Sequence, residues 1–515
     1  MTVSTEFESE GDDNILPLVQ NKPEEPPILR DLIESFAFAI IMALVIKNFL
    51  AEAYKVPTGS MEPTIHGAQE NGDRILVNKL VNLIRDPLRW EIWVFKYPNN
   101  RQVNYVKRIV GVGPESISII DGDIYTAPFG TTEQSLRLLL EERRLRIETK
   151  PRSVQEAIFA RYPRILPDKT AWDSLEAFRD DWIVSRSNLP GATEWNFDGG
   201  IVGVCGGRSM VHFRHEIKDQ RDPFQDVGTT NHYGEFEVGD LRLDFVCNPR
   251  QKEGMILCEI RDPQLDEFVR AEIPIEGGSN TGGVYIGKRR MLSLDKGLVP
   301  VGKESRIRFT NVDNQIELEI NGTRYASISY DHIPRMLSGQ AKWPAGVGLG
   351  VAGANVHFVN AQIYRDIYYR GGGGGLRRSI FEPSYPSWRS DIPEGHYYVL
   401  GDNSPASNDS REWHRKTIKF MDSEIELEGD TMAVVDPEVL EDRLDNPYTL
   451  SETLKNGETG SERYFVDDFG NKHKLSKYGS IKGIDETPSP LVPRHLFIGR
   501  AYAVFLPLNR MKLVR

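Results

Sequence analysis

The residue that first suggests chemistry in this 515-residue chain is Ser60, which stands in Val56-Pro-Thr-Gly-Ser-Met-Glu-Pro-Thr-Ile65. Pro57 stiffens the entry to this segment and Gly59 permits a tight backbone, so the loop could expose a hydroxyl. Most Gly-Ser pairs in proline-containing loops are only turns. Because a serine hydroxyl is a weak nucleophile, a catalytic role also needs a base.

A candidate base is Lys107, in Val103-Asn-Tyr-Val-Lys-Arg-Ile-Val-Gly-Val-Gly-Pro-Glu115. A lysine acts as a base only when its amine is neutral, whereas its pKa in water is about 10.4. Burial among apolar neighbours such as Tyr105, Val106 and Ile109 would disfavour the charged form. The two residues together suggest a Ser-Lys dyad. Without Ser60, a surface charge at a strand end would be the simpler interpretation of Lys107.

Further blocks stand in order around these two residues: an apolar segment before Ser60, Gly72-Asp-Arg-Ile-Leu-Val-Asn-Lys79, and Gly401-Asp-Asn-Ser-Pro-Ala-Ser-Asn-Asp-Ser-Arg411. With these blocks the chain resembles type I signal peptidases, the Ser/Lys leader peptidase family. One block would be a weak signal, but five in the family's order make coincidence improbable. The resemblance covers about residues 29–126, 391–413 and 487–515.

The resemblance implies roles for individual residues. Ser60 would be the nucleophile, Lys107 the general base and Ser407 the residue that orients the lysine amine. The Thr58 hydroxyl and the main-chain N–H of Ser60 would form the oxyanion hole, where many relatives have serine at the position of Thr58. The residues implied as structural support, the last two as an ion pair, are Asp402, Asp409 and Arg411. The residues implied for the substrate pocket are Val56, Met61, Ile65, Tyr105 and Val106.

The function implied by the resemblance is that of signal peptidase I, a membrane-bound serine endopeptidase of bacterial type. It would remove N-terminal signal peptides after small-x-small sites through an acyl-enzyme. The implied partners are signal-peptide-bearing precursors and the lipid bilayer, with the catalytic domain on the outer face of the cytoplasmic (inner) membrane. No metal or organic cofactor is expected, because Ser-Lys acyl transfer needs none and the ten histidines show no metal-ligand spacing.

Two other functions are weighed against this one. A self-cleaving, repressor-like peptidase has a similar dyad, but we find no helix-turn-helix before Ser60, and the net charge of -12 also argues against nucleic-acid binding. A membrane-tethered binding protein that has lost activity is disfavoured by the intact Ser60, Lys107 and Ser407.

The apolar segment from Leu32 to Leu50 predicts a membrane anchor, since its only charges are Glu34 near one end and Lys47 near the other. A spanning helix needs about 20 residues. Two alternatives stay open: a buried helix of a soluble core, and a cleavable signal peptide ending at Ala51-Glu-Ala53. The flanking lysines and arginines are too few to orient the segment.

The sequence between Lys107 and Asp402 is far longer than the family core requires, which predicts insertions. The predicted regions are a disordered acidic tail (1–28), a transmembrane helix (29–53), a first segment of the peptidase core (54–127), a helical or irregular insertion (128–190), a β-sandwich (191–370), a Gly-rich linker (371–390), and a second segment of the peptidase core (391–515) with a polar insertion at about 414–486.

Short alternating runs broken by turn residues predict the β-sandwich. The clearest unit is a hairpin from Ile316 to Tyr330 with Asn321-Gly322 at its turn. Leu241–Cys247 and Gly346–Ala352 add strands. The pattern resembles concanavalin-like or laminin-G-like jelly rolls, which leaves a glycan ligand, a protein ligand or a spacer role open. Cys247 and Cys258 could pair or be two buried thiols, and the whole chain is expected to be mainly antiparallel β-structure.

Overall fold

The chain is mainly β-structure in a computed structural model. The residues that the structure describes are 28–45, 47, 50–132, 138–139, 142, 145–162, 182–184, 193–196, 201–213, 217–219, 236–265, 267–279, 281–331, 344–371, 388–421, 423–435 and 462–515. Contacts divide the chain into two units, Met1–Ala51 and Glu52–Arg515. The predicted acidic tail and most of the predicted Gly-rich linker lie outside the described residues.

Helices make up a small fraction of the described residues. They are α1 (Ile28–Val45), α2 (Leu80–Ile84) and α3 (Arg152–Ile158). Single 3₁₀ turns occur at Gly59–Met61, Ser404–Ala406, Leu475–Lys477, Arg494–Leu496 and Leu508–Arg510. The first part of the helix predicted at 29–53 corresponds to the 18-residue α1, but the prediction is wrong for Ala51–Ala53, which lie in a strand. Within the described ranges, no helix combines the length and apolar character needed to cross a membrane.

The strands fall into three stretches of the chain, and we call the middle stretch, residues 148–387, the long insertion. Before it the strands are β1 (Ala51–Lys55), β2 (Arg74–Asn78), β3 (Ile92–Tyr97), β4 (Asn100–Val112), β5 (Glu115–Ile120), β6 (Asp123–Ala127) and β7 (Arg146–Ile147). Within it they are β8 (Ala160–Tyr162), β9 (Trp182–Val184), β10 (Thr193–Asn196), β11 (Ile201–Phe213), β12 (Leu241–Pro249), β13 (Met255–Asp262), β14 (Glu267–Pro274), β15 (Gly282–Ile286), β16 (Arg289–Leu294), β17 (Ser305–Val312), β18 (Gln315–Ile320), β19 (Thr323–Ser329) and β20 (Gly346–Arg365). After it they are β21 (Trp388–Ile392), β22 (His396–Leu400), β23 (His414–Phe420), β24 (Glu426–Val435), β25 (Glu462–Asp467), β26 (Lys472–Lys474), β27 (Ile481–Pro488), β28 (Leu491–Pro493), β29 (Phe497–Leu506) and β30 (Lys512–Leu513).

An eight-stranded antiparallel sheet carries the candidate site, in the order β1-β2-β29-β3-β4-β22-β28 with β30 beside β29. Its central strand β3 is apolar on both faces because each face is covered by a core. Ile92 and Val94 pack in one apolar cluster, whereas Trp93, Phe95 and Tyr97 pack in the other. A sheet buried on both sides holds its strands rigidly, which suits a site that needs fixed distances.

A four-stranded sheet, β21-β5-β6-β7, connects the peptidase sheet to the long insertion. Ile117, Ile119 and Ile124 from this sheet join Tyr398 and Leu400 of β22 in one apolar cluster. Tyr369, just after β20, lies in the same cluster. The end of the long insertion is therefore packed into this core. The insertion predicted as helical or irregular at 128–190 lies partly outside the described residues, and Arg146–Ile147 within it form strand β7.

The long insertion is organised around the 20-residue strand β20. β11 pairs along most of its length, while β13 pairs with its first half and β12 with its second. Gly353 separates these two halves with φ +59°, a left-handed conformation that glycine adopts without a Cβ penalty. Apolar residues of β11, β12, β13 and β20 lie in one core cluster.

The predicted strands of the insertion are confirmed. β18 and β19 form the hairpin, with Asn321 at φ 52° and Gly322 at φ 82° in its turn. Leu241–Cys247 lies in β12 and Gly346–Ala352 in β20. Cys247 and Cys258 are buried free thiols, and burial raises the pKa of Cys247 to about 12.

The described residues of the polar segment at about 414–486 contribute the strands of a five-stranded sheet, β26-β25-β24-β23-β27. We refer to this sheet as the C-terminal sheet. Ile418, Phe420, Leu427, Phe465 and Leu475 give it a small core of its own. Sequence reasoning did not predict a sheet here because these apolar residues are widely spaced among charged ones.

Candidate active site

Ser60 and Lys107 meet directly in the structure. Ser60 lies in the 3₁₀ turn Gly59–Met61, and Lys107 lies in β4 on the same face as Tyr105. The Lys107 Nζ donates a hydrogen bond to Ser60 Oγ at 2.7 Å. Both residues are buried, with 7% and 4% of their surfaces exposed. A lysine amine within hydrogen-bond reach of a serine hydroxyl is the geometry of a nucleophile with its base.

Burial also shifts the acidity of the lysine. Loss of hydration lowers the pKa of Lys107 from 10.5 to about 8, against the opposing effect of Asp409. The positive charge of Arg411 contributes to this fall, and Asp402 opposes it. The amine is therefore neutral in a substantial fraction of molecules at mildly alkaline pH, as a general base requires.

The loop at 401–411 is fastened to the serine turn through its backbone. The N–H of Asn403 donates to Ser60 O at 3.0 Å, and its side-chain Nδ2 donates to Gly59 O at 3.0 Å. Gly401 lies so close to Ser60 O and Ser407 Oγ that a Cβ there would overlap both atoms. The sequence did not predict these two hydrogen bonds of Asn403, although this residue belongs to the quoted Gly-Asp-Asn block.

Asp409 and Arg411 form the ion pair that the resemblance implied. Arg411 Nε and Nη2 donate to the two carboxylate oxygens of Asp409 at 2.8 and 2.7 Å. Although burial alone would raise the pKa of Asp409, the Arg411 guanidinium keeps it below its usual value. Arg411 also donates to Ser404 Oγ at 2.7 Å and to Arg370 O at 2.9 Å. The pair therefore fixes both the loop and the chain returning from the long insertion.

Asp402 has a partner that the sequence did not reveal. Arg108 Nε and Nη2 donate to its two oxygens at 2.7 and 2.6 Å, and Thr64 Oγ1 also donates to it. Arg108 and Asp402 are both fully buried. Because Arg108 follows Lys107 and Thr64 follows Ser60 by a few residues, this pair ties the serine and lysine blocks to the 401–411 loop.

The remaining expected residues are near the dyad but have fewer contacts. Ser407 Oγ is buried and has no hydrogen-bond partner among the described residues. Its orienting role therefore stays a prediction. Thr58 has an extended backbone immediately before the 3₁₀ turn and lines the cavity in front of Ser60. Its position is compatible with the expected oxyanion-hole role, which also stays a prediction.

A cavity opens beside Ser60 and Lys107. Its lining is formed by Tyr54, Lys55, Val56, Pro57, Thr58, Ser60, Ile75, Val94, Asn104, Tyr105, Val106 and Lys107. Three of the five expected pocket residues, Val56, Tyr105 and Val106, are in this lining. Met61 and Ile65 are fully buried in the core behind it. Ile75 and Val94 take their place in the lining, which the sequence did not predict because they belong to other strands.

A second buried lysine, Lys150, lies where the long insertion joins the core. Its Nζ contacts Asp313 and lies 2.9 Å from Asp366 Oδ2. Oxygens of Asp123, Asp240 and Asp313 lie within 4.8 Å of one another, a spacing that could hold a cation. The ammonium of Lys150 supplies positive charge at this cluster, so we interpret it as a salt-bridge network that fastens the insertion.

Comparison with known proteins finds similarity to one peptidase family. Residues 29–157 and 349–433 match the family model of signal peptidase, peptidase S26. These residues, which make up less than half of the chain, are similar to the S26 signal peptidases. Signal peptidase I of Pseudomonas aeruginosa is 36% identical over 113 residues, which are 20% of this chain and 38% of that protein. Signal peptidase I of Aquifex aeolicus is 44% identical over 81 residues, which are 16% of this chain and 30% of that protein.

The S26 match is partial in both directions. The chain spans 38% and 30% of the lengths of these two relatives, and 53% of a probable signal peptidase I-2 of Synechocystis at 32% identity. Among solved structures, a carbohydrate-binding module from Bacillus subtilis covers 35% of this chain and is itself 93% covered, at 11% identity and a TM-score of 0.22. A score this low assigns neither a fold nor a function to the insertion.

Proposed function

We propose that this chain is a signal peptidase I, a serine endopeptidase that cleaves signal peptides from secreted precursors. The observation that carries the proposal is the 2.7 Å contact between Lys107 Nζ and Ser60 Oγ in a buried setting. The lowered pKa of Lys107 supports it, because a charged ammonium cannot accept the serine proton. The match of the S26 portion to signal peptidases supports the choice of substrate.

The proposed reaction is acyl transfer in two steps. Lys107 takes the proton of Ser60 as Oγ attacks the carbonyl carbon of the scissile peptide bond. The tetrahedral intermediate then collapses, the C–N bond breaks, and Lys107 returns the proton to the leaving amine. In the second step a water molecule, deprotonated by Lys107, hydrolyses the ester and releases Ser60. The oxyanion would be stabilised by the Ser60 N–H and the Thr58 hydroxyl, each donor contributing about 3 kcal/mol.

The strand geometry supports an extended substrate beside β4. From Asn104 to Lys107, β4 pairs with Lys96 to Trp93 of β3, and its pairing with β22 begins only at Arg108. An added peptide strand would bring its scissile carbonyl toward Ser60. Val56, Tyr105 and Val106 would then limit the side chains accepted before the cut to small ones.

We also propose that α1 attaches the chain to the cytoplasmic membrane, with the peptidase domain on the outer face. The support is that many apolar side chains of this helix are exposed: Leu32, Ile33, Phe36, Phe38, Ile40, Ile41, Met42, Leu44 and Val45. We expect the full chain to stay with membranes in alkaline carbonate and a variant lacking residues 1–53 to be released. Release of both proteins would argue against attachment.

The proposed activity is tested with a precursor that carries an Ala-x-Ala site. We expect the full chain to cut after that site, and Ser60→Ala and Lys107→Ala to lower the rate by at least about a thousandfold. Lys96→Ala is the matched control, because Lys96 is an exposed lysine on the neighbouring strand β3. Mass spectrometry identifies the cut, and thermal unfolding checks that each variant is folded.

The outcomes separate the alternatives. Cleavage by the wild type and Lys96→Ala, but not by Ser60→Ala or Lys107→Ala, supports the catalytic role of Ser60 and Lys107. Cleavage that survives in Ser60→Ala contradicts it. An inactive, folded wild type would favour a binding protein that has lost peptidase activity.

A further inference from the structure

The C-terminal sheet contacts the strand pair that carries Lys107. The N–H of Arg101, in the β3–β4 hairpin, donates to Asp468 O at 2.9 Å, and the Arg101 guanidinium lies 4.6 Å from the ring centre of Phe469. Tyr97, at the end of β3, donates its hydroxyl hydrogen to Asp430 Oδ2 at 2.6 Å. This sheet is thus attached to one end of the β3–β4 hairpin, whose β4 strand leads to Lys107.

Asp430 occupies an unusual position in its strand. β24 pairs with β25 at Gly429–Asp467 and Thr431–Val466, so Asp430 is the extra residue at an irregularity in the ladder. Bulges of this kind redirect a side chain out of the regular alternation. The resulting short bond to a phenol is of the strong kind that a carboxylate acceptor makes.

Tyr97 in turn contacts a residue of the substrate cavity. Its ring stacks on Tyr105 with centres 4.7 Å apart and planes 9° from parallel. Trp413 packs edge-on against Tyr97 and at a tilt against Tyr105. Tyr105 lines the cavity, and its ring centre lies 5.7 Å from Lys107 Nζ. Stacked rings can slide over each other, so a hydrogen bond at the edge of one ring fixes the register of the pair.

We propose that Asp430 and Tyr97 are positioning residues that hold the ring of Tyr105 and thereby set the size of side chain accepted before the cut. The inference rests on the proposed function for its substrate. Asp430 touches neither the substrate cavity nor the dyad, so its effect is transmitted through the two rings. The C-terminal sheet would accordingly act on specificity rather than on the proton transfer itself.

The experiment compares precursors with Ala or Leu immediately before the cut. We expect Asp430→Ala and Tyr97→Phe to reduce the preference for Ala by about tenfold, within the range that small pocket changes give. The change should appear in the KM for the Leu precursor, with kcat for the Ala precursor altered less than about threefold. Asp430→Asn keeps an acceptor for the phenol and should retain most of the preference.

Two further variants separate positioning from general damage. Asp430→Ala combined with Tyr97→Phe should have no more effect than Tyr97→Phe alone, because Tyr97→Phe already removes the bond to Asp430, together with the 3.3 Å bond that Asn99 Nδ2 donates to the same hydroxyl. Asp485→Ala is the control, since Asp485 lies on β27 of the same sheet and pairs with Lys419 at the surface at 2.8 Å. This variant should keep the wild-type preference. Additive losses in the double variant, or an equal loss in the control, would overturn the proposal.

Fluorine NMR of fluorotyrosine-labelled full-length protein makes the test independent of cleavage. The Tyr105 resonance, assigned with Tyr105→Phe, should shift in Asp430→Ala and stay in place in Asp485→Ala. An unmoved resonance together with an unchanged Ala preference would refute the positioning role while leaving the proposed peptidase intact. A wild type without peptidase activity would refute the proposed function, and the resonance would still decide whether Asp430 positions Tyr105.

Discussion

Two buried lysines of this chain have opposite chemistry. Lys107 is 4% exposed and Lys150 is 1% exposed. Burial alone would lower the pKa of both amines. The pKa of Lys107 does fall to about 8, whereas Asp313 and Asp366 raise the pKa of Lys150 well above its usual value.

The difference lies in which carboxylates are already paired. Lys150 contacts Asp313 and Asp366 directly. Near Lys107, by contrast, the two influential carboxylates each have an arginine: Arg411 holds Asp409 and Arg108 holds Asp402. Burial can thus lower the pKa of Lys107 because its neighbouring acids are held by other partners. Burial lowers the pKa at both positions, and the presence or absence of a directly paired carboxylate decides whether the pKa falls or rises.

The largest expected effect on the free energy of unfolding comes from removing Lys150, the lysine whose pKa is raised. Lys150→Met leaves Asp313 and Asp366 buried without their cation and should cost about 3–5 kcal/mol of unfolding free energy. Lys107→Met removes no direct ion pair and should change stability by less than about 1 kcal/mol. Denaturant unfolding of the two variants measures both values. Similar losses in the two variants would mean that the lysines are not in different electrostatic states.

The second prediction concerns Asp409 after its arginine partner is removed. Arg411→Gln removes the guanidinium, so Asp409 becomes available to stabilise the charged form of Lys107 and the pKa of Lys107 should rise. Cleavage at about pH 7.5 should fall about tenfold and recover at higher pH. Arg411→Lys retains the positive charge and should show a smaller shift. A loss of activity that is the same at every pH would point to a disturbed loop rather than to the acidity of the lysine.

The smallest expected effect on stability comes from Asp123, one of the acids around Lys150. Burial, together with the nearby Asp313 and Asp366 carboxylates, raises the pKa of Asp123 well above its ordinary value despite the opposing charge of Lys150. A raised folded-state pKa means that stability is lost as the pH rises from the ordinary aspartate pKa through the raised one. Asp123→Asn cannot ionise and should therefore stabilise the protein by about 1 kcal/mol at about pH 8.

Unfolding as a function of pH checks the sign of this effect. The gain from Asp123→Asn should shrink as the pH falls and disappear toward about pH 3, where the wild-type carboxyl approaches full protonation in both the folded and the unfolded states. Destabilisation by Asp123→Asn in mildly alkaline buffer would mean that this carboxylate supports the network as an anion.

The contact between Ser60 and Lys107 could be predicted from the sequence because the two residues lie in short blocks with a characteristic order. The hairpin turn was predicted correctly for a similar reason, since Asn321-Gly322 is a local signal. Partners that are distant along the chain could not be predicted in this way. Arg108 and Asp402 are 294 residues apart, and Lys150 and Asp313 are 163 apart.

The C-terminal sheet was missed for a related reason. Its core residues are spaced among charged ones, so no period of two dominates the local pattern, and the contact of Tyr97 with Asp430 spans 333 residues. The pocket assignments depended on closeness to the dyad along the chain. Met61 and Ile65 are close to Ser60 in sequence but face the core, whereas Ile75 and Val94 reach the cavity from neighbouring strands.

The most direct test of the account is the pH dependence of kcat/KM for the wild type on an Ala-x-Ala precursor. A neutral Lys107 as the base predicts a rate that rises with pH through a midpoint near 8, where the buried amine loses its proton. A midpoint close to the 10.5 of an ordinary lysine would contradict a pKa lowered by burial while the nearby carboxylates are paired elsewhere.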